Sequence, residues 1–256
     1  MEILHIVMLF AAGIAGGILS GLIGGASLVT FPALLAAGLP PITAAVTNLF
    51  ALVPANTAVV ITERALLPPL NRAFFGLLIT TSIGAAIGAS LLLITPGRTF
   101  EVLVPVLLGF ATVLLAYSQQ ITVWFRERSL RRGKGEPHLG MINLPMLPIS
   151  IYGGYFGGGL GVIVLGVLSL ATGGEYRSAN VIKNVIIGIS TSVAALVFVS
   201  RGAVSWPPTL VMMAGAVVGG LLAGQLARVV PPAAMRVAVV AMGVMLTVAF
   251  AWRYWF

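Results

Sequence analysis

Apolar residues fill eight stretches of the chain, at about 3–37, 43–62, 73–95, 100–125, 141–171, 180–200, 208–227 and 233–255, with charge gathered in the gaps between them. A hydrocarbon core about 30 Å thick needs about 20 helical residues at 1.5 Å rise each, so six of the stretches read as single crossings. The first and fifth run to over 30 residues, too long for one simple span, and both are rich in glycine. They read GIAGGILSGLIGGASLVTFPALL from Gly13 and IYGGYFGGGLGVIVLGVLSL from Ile151. Each predicts a helix that breaks inside the membrane. Each is also followed by a helix start bearing asparagine, PPITAAVTNLF from Pro40 and EYRSANVIKNV from Glu175.

The same order of features therefore occurs twice. At an offset of about 135, Gly84 and Gly88 fall over Gly220 and Gly224, Pro96 over Pro231 or Pro232, and Asn48 over Asn184 with a one-residue shift. A recurring order over so much of the chain is the mark of internal duplication. The reading is one membrane domain over residues 1–256, with a first repeat at about 1–125, a basic loop at about 126–140 and a second repeat at about 141–256. The fold class is an all-α integral membrane protein, a polytopic helical bundle of two pseudo-symmetric repeats with broken or re-entrant first segments.

Composition removes the alternatives. The 256 residues are 59% hydrophobic and 8% charged, against about a quarter charged in soluble domains. No stretch is left to form a soluble domain of ordinary size. Met1 to Ala12 has no basic n-region and carries Glu2, so it reads as the start of the first membrane segment rather than a signal peptide. There is no cysteine, no aspartate, and histidine only at His5 and His138, which leaves no thiolate metal site, no disulfide and no expected cofactor. The net charge of +8 sits at the ends of apolar runs and in one loop. That distribution is topological and gives no basis for nucleic-acid binding.

Charge then orients the repeats. The loop FRERSLRRGKGEPH, from Phe125 to His138, carries five cations against two glutamates and is placed in the cytoplasm by the positive-inside rule. If the long segments each cross once, Arg98, Arg177, Lys183, Arg228 and Arg236 fall outside, against the rule. If each crosses twice, or dips in and returns, Arg64, Arg72, Arg177, Lys183, Arg228 and Arg236 fall inside and only Arg98, Arg201 and Arg253 outside. The second arrangement is favoured: inverted repeats with both termini outside.

Chemistry concentrates at the breaks. A broken membrane helix frees N–H and C=O groups that hydrocarbon cannot satisfy, so such backbone survives only where protein, water or ligand covers it. Gly24, Gly25 and Ala26, and Gly157, Gly158 and Gly159, are thus candidate cavity-lining positions. Freed N–H groups at a helix start favour an anion, and no carboxylate lies in the middle of an apolar run to serve a cation or a proton relay. Ser27, Thr47, Asn48, Asn180, Lys183 and Asn184 offer hydroxyl, amide and ammonium donors, and Tyr152, with Tyr155 and Phe156, is placed to wall the cavity. The alternatives are an N-cap for Asn180, an interfacial snorkel for Lys183, and packing for the aromatic residues and for Gly84, Gly88, Gly220 and Gly224. Pro32, Pro54 and Pro105 read as helix bends, and Asn56 and Thr57 beside Pro54 as polar groups toward the pathway. Glu63, Glu101 and Glu175 read as solvated interface carboxylates.

These residues resemble the TauE/SafE family of membrane transporters, the sulfite exporter-like proteins. The first half is similar to its GxxSGLxGxGGG motif with a following proline, a GLPP turn and an A-N-A-T-N stretch, here SGLIGGAS, FPALL, GLPP and AAVTN. The second half resembles the YGGYFGAGLG and AN-x-x-KN pattern, here YGGYFGGGLG from Tyr152 and ANVIKN from Ala179. The resemblance covers essentially the whole chain and implies a duplicated inner-membrane exporter of sulfite, sulfoacetate or related organosulfur anions. Ala26 replaces a common third glycine and Ala45 the first asparagine of A-N-A-T-N, which shifts the weight of the site to Asn180, Lys183 and Asn184. The expected partners are a small anionic substrate and the lipid bilayer, with a homodimer among the assemblies left open. An importer or channel for another solute is the rival reading, then a membrane assembly protein. An intramembrane enzyme is disfavoured because Ser27 has no evident base.

Overall fold

The computed structural model describes residues 2–22, 24–62, 67, 71–131, 142–171, 176–226 and 232–255. Among the described residues there are twelve helices and no strand: α1 Ile3–Leu22, α2 Ser27–Ala36, α3 Pro41–Ala51, α4 Val53–Thr62, α5 Arg72–Ile94, α6 Gly97–Ala116, α7 Ser118–Arg131, α8 Asn143–Tyr155, α9 Leu160–Ala171, α10 Tyr176–Ser200, α11 Trp206–Leu226 and α12 Pro232–Trp255. Arg64, Glu63, Arg132, Lys134, Glu136, His138, Glu175, Arg228 and Pro231 lie outside the described residues. Helix α7 carries regular structure as far as Arg131, into the segment read as a loop.

Among the described residues six helices are long and apolar enough to cross a membrane: α1, α5, α6, α12 from Met235, and the stretches Ala179–Ser200 of α10 and Trp206–Ala223 of α11. This is an all-α, multi-pass membrane protein. Both long stretches are interrupted, the first between Leu22 and Ser27 and the second between Tyr155 and Leu160. Their later pieces, the 10 residues of α2 and the 12 of α9, span about 15 and 18 Å at 1.5 Å per residue, too short to cross alone. A further interruption separates α3 from α4 at Leu52, two residues before Pro54, whose ring nitrogen has no hydrogen to continue the helix ladder. Outward faces remain apolar: Ile79, Ile83, Ile87 and Leu91 form an exposed stripe on α5, and Val244, Met245, Val248 and Trp252 another on α12. Such surface belongs against lipid tails.

Glycine sets which helices touch. A Cβ on Gly17 would collide with the Ala216 carbonyl of α11, one on Gly215 with the Phe10 carbonyl and one on Gly219 with the Ile14 carbonyl. The α5–α8 pair makes matching contacts: a Cβ on Gly154 would collide with the Ala85 carbonyl, one on Gly84 would lie 2.8 Å from the Leu147 oxygen, and one on Gly88 would collide with the Ile151 carbonyl. In both seams residue numbers rise together, so α1 runs parallel to α11 and α8 parallel to α5. The packing reading of Gly84 and Gly88 holds, and the glycines making the same contacts on α11 are Gly215 and Gly219, five residues before the pair aligned by sequence. Without a hydrophobic drive between helices in lipid, such backbone approach supplies the contact. Helices α6 and α12 are antiparallel instead: Gly109 faces Thr247, Gly243 faces Thr112, and the Trp255 indole N–H donates to the Val102 carbonyl at 3.1 Å.

The core between these pairs is aromatic and aliphatic. Phe31 of α2 meets Phe156 edge to face at 5.3 Å between ring centroids, and Phe100, Val104 and Leu108 of α6 are fully buried beside them. That cluster seats α6 behind both helix breaks.

Candidate functional site at the two helix breaks

The breaks touch each other. A Cβ on Gly24 would lie 2.8 Å from the Gly161 Cα, and one on Gly161 2.7 Å from the Gly24 Cα. The two chains can approach this closely only where both residues lack a side chain. Gly24, Gly157 and Gly159 have positive φ of 76°, 72° and 71°, a backbone region costly for residues with a Cβ.

Protein covers much of the broken backbone. Leu115 of α6 packs against Gly25, Ala111 against Gly158 and Gly159, and Leu49 of α3 against Gly157. The Gly24 N–H donates to the Leu19 carbonyl at 2.8 Å, and the Tyr152 hydroxyl donates to the Gly158 carbonyl. Tyr152 also meets Phe110 edge to face at 5.5 Å, so its role in this structure is to pack beside the break and satisfy one of its carbonyls.

The two asparagine-bearing helices differ in their hydrogen bonding. Asn48 of α3 is buried and engaged: its amide donates to the Ser27 hydroxyl at 3.0 Å, and its carbonyl oxygen accepts from the Thr30 hydroxyl, which also reaches the Ala26 carbonyl at 3.0 Å. This cluster ties α2 to α3. Asn184 of α10 is equally buried, yet neither its amide nitrogen nor its carbonyl oxygen has a partner among the described residues. The Thr47 hydroxyl is likewise buried and unpartnered there.

Lys183 is 1% exposed. Its ammonium donates to the Asn180 side-chain oxygen at 2.8 Å and reaches across the molecule to the Ser20 carbonyl at 3.4 Å, at the end of α1. The Ser20 hydroxyl donates to Asn56 Oδ1 at 2.7 Å, and Asn56 Nδ2 donates to the Leu52 carbonyl at 3.1 Å. A polar chain thus runs from α10 through the first break to the α3–α4 interruption. The snorkelling alternative for Lys183 does not describe this side chain, since its charge turns inward. Because α10 begins at Tyr176, Lys183 sits in its third turn rather than its first, and Asn180 lies within the helix rather than capping it. Of the pair beside Pro54, Asn56 joins the site while Thr57 is exposed and bonds to its own Val53 carbonyl. Ser20 and Thr30 are the members that sequence reasoning missed. Their signal was helical spacing: Thr30 lies three residues after Ser27, and Ser20 precedes the glycines within SGL.

A buried ammonium costs several kcal/mol of desolvation, and each unpartnered buried amide group about 1–3 kcal/mol. Groups kept at such cost inside a membrane protein mark functional sites. The arrangement keeps the Asn184 amide nitrogen and oxygen unengaged among the described residues, on the same turn as a buried ammonium.

The family sequence model described as Sulfite exporter TauE/SafE matches residues 9–250. The chain belongs to the TauE/SafE family. Relatives with closely similar extent are a "Probable membrane transporter protein" of Haemophilus influenzae, 27% identical over 94% of this chain and 92% of the relative, and a "Probable membrane transporter protein ORF9" of a Sinorhizobium species, 29% identical over 84% and 80%. No solved structure matches the chain. As a TauE/SafE member with six spanning helices, this protein is a membrane transporter.

The contrast between the asparagines gives opposite stability predictions in this TauE/SafE chain. Asn48→Ala strands the Ser27 and Thr30 hydroxyls and lowers unfolding free energy by about 1–3 kcal/mol, read as a lower thermal midpoint in detergent. Asn184→Leu removes two unpartnered polar atoms and holds or raises that midpoint.

Proposed function

We propose that this transporter exports a small sulfur-containing oxyanion, sulfite, sulfoacetate or another organosulfonate, across the cell inner membrane by alternating access between two inverted repeats. The observation that carries the reading is the buried, unpartnered amide of Asn184 on the same turn as the buried ammonium of Lys183, one turn before Ile187, whose Cδ1 lies 3.4 Å from where Gly161 would carry a Cβ. Sulfonate oxygens accept such bonds through several lone pairs, and their charge complements the ammonium. Asn180, Lys183 and Asn184 form the main ligand set, with Thr47 and the backbone of the glycine breaks completing it. Ser27 and Asn48 brace the first repeat.

Helix directions support the inverted arrangement, with repeats at about 1–125 and 141–256. Only Thr95 and Pro96 separate α5 from α6, so these two return on each other, and α11 and α12 are likewise adjacent in the chain. With α6 antiparallel to α12, α1 parallel to α11 and α8 parallel to α5, α1 and α8 start from opposite faces. Five residues join α10 to α11, so α10 begins on the face where α8 begins. The α8–α9 segment then starts and ends on one face, we assign the same course to α1–α2, and with the basic loop inside, both termini lie outside.

An inside-negative potential drives an anion outward by about 2.3 kcal/mol per charge per 100 mV, sufficient for efflux of a divalent anion without a coupled ion. Proteoliposomes holding the purified protein are expected to show saturable sulfite and sulfoacetate flux that quickens when the anion-containing side is negative. Absence of saturable flux, or non-saturating conductance of unrelated anions, overturns the proposal.

A further inference from the structure

We propose that the open groove between α6, α7 and α9 is a binding site for an anionic phospholipid, which lays an acyl chain along the groove and sets its headgroup phosphate at Arg128 and Arg131. The site is separate from the one around Lys183, and its ligand is a component of the bilayer rather than the transported solute. The groove has a volume of about 610 Å³ and is lined almost wholly by apolar surface, with Gln120 of α7 and Ile163 of α9 among its walls.

One line of residues makes the long wall. Phe110, Leu114, Tyr117, Ile121 and Trp124 line the groove at alternating steps of four and three, the spacing of a single helix face. That face is continuous across the joint of α6 and α7, because the Tyr117 N–H donates to the Val113 carbonyl at 3.0 Å and the Tyr117 carbonyl accepts from the Ile121 N–H at 2.8 Å. The next steps of four and three fall on Arg128 and Arg131, at the end of α7. The stripe therefore turns from apolar to cationic without a change of period. From Phe110 to Trp124 it covers about 21 Å at 1.5 Å per residue, against about 15 Å for half of a hydrocarbon core about 30 Å thick. It is one leaflet deep. Tyr117 and Trp124, both exposed, are of the types that settle at headgroup level, and the two arginines lie beyond them toward the basic loop.

Charge selects the occupant. Residues 126–138 hold five cations against two glutamates, and such a cluster directly beyond a membrane helix attracts anionic headgroups. A zwitterionic lipid would gain from the apolar wall alone. A second copy of the chain, packed on this face about a twofold axis along the membrane normal, would bring Arg128 and Arg131 against their own copies, and like charges so placed repel.

Residues of the groove also clamp the second break. Phe110 meets the Tyr152 ring, whose hydroxyl bonds the Gly158 carbonyl, and Leu114 Cδ1 lies 3.4 Å from where Gly159 would carry a Cβ. Ile163 lies two residues beyond Gly161, which abuts Gly24. An acyl chain seated there backs these contacts, so its binding stabilises the folded protein.

The purified chain in neutral detergent is titrated with dioleoylphosphatidylglycerol or with dioleoylphosphatidylcholine and read by native mass spectrometry and thermal midpoint. One phosphatidylglycerol is expected to be retained per chain, with a higher midpoint than an equal amount of phosphatidylcholine gives. A cation near the bilayer surface is worth about fivefold in binding, so Arg128→Gln is expected to need about fivefold more phosphatidylglycerol for half-occupancy, and Arg128→Gln with Arg131→Gln about 25-fold more. Arg126→Gln removes the same charge from the opposite face of α7 and is expected to cost less than about twofold. Gln120→Trp fills the groove from an exposed position, keeps every cation and lowers retention. Equal retention of the two lipids by the wild type, or an equal loss in Arg126→Gln and Arg128→Gln, makes the attraction diffuse and overturns the proposal. A dimer that Gln120→Trp disrupts, in place of bound lipid, assigns the groove to a second copy and overturns it too. Neither readout uses transport, so the outcome is independent of the exporter reading.

Discussion

Lys183→Met is expected to reduce sulfoacetate flux by about 10–100-fold, the loss of one charge-assisted contact worth about 1.5–3 kcal/mol. Methionine keeps the length and apolar stem while deleting the charge, so the packing around α10 is retained. The ammonium it removes had been taken out of water to reach the Ser20 carbonyl and Asn180. Losing the ammonium relieves its desolvation but leaves the Asn180 side-chain oxygen without this donor, and the two effects oppose each other, so the thermal midpoint is expected to stay close to wild type. Flux in proteoliposomes and thermal unfolding, measured on one preparation, separate the two roles. Wild-type flux in the methionine variant would make Lys183 a structural strut and refute its place in the anion site.

Gly161→Ala is expected to destabilise the protein by about 1–3 kcal/mol through overpacking, because its methyl lands 2.7 Å from the Gly24 Cα, where only backbone is available to move. Gly24→Ala meets the same contact from the other side and adds about 1–2 kcal/mol for a side chain at φ 76°. The double variant costs less than the sum, since the first methyl has already parted the breaks the second would press upon. Denaturant or thermal unfolding of the three proteins reads the cycle. Additive effects would mean that the two breaks are held apart and do not depend on each other.

The helix breaks were legible because their cause is local. SGLIGGAS and YFGGGLG place glycine where the backbone turns left-handed, and an apolar run of over 30 residues has no other way to fit the bilayer. The α3–α4 interruption at Leu52 was legible as the bend read at Pro54, whose missing N–H is a local cause. The glycine pairing was less legible: the sequence sets Gly84 and Gly88 over Gly220 and Gly224, whereas Gly215 and Gly219, five residues earlier, make the matching contacts. Glycine-rich strings align in several frames, and only the carbonyl each glycine meets, Ile14 for Gly219 and Ile151 for Gly88, selects among them. Asn48 and Asn184 looked alike in sequence. Whether an amide finds Ser27 and Thr30 beside it, or nothing, depends on where α2 and α9 pass, which is non-local.

By itself the sequence determined an all-α membrane protein, its two broken segments and the donor-rich, carboxylate-poor character of its interior, because bilayer thickness and the solvation of charge act on each stretch of chain separately. The tertiary structure alone decided that the two breaks meet at Gly24 and Gly161, that Lys183 turns inward to Ser20, and that only one of the two asparagines keeps its hydrogen-bonding groups unengaged. Those outcomes depend on helices far apart in the chain approaching at the distance glycine allows, and no local pattern encodes a distance.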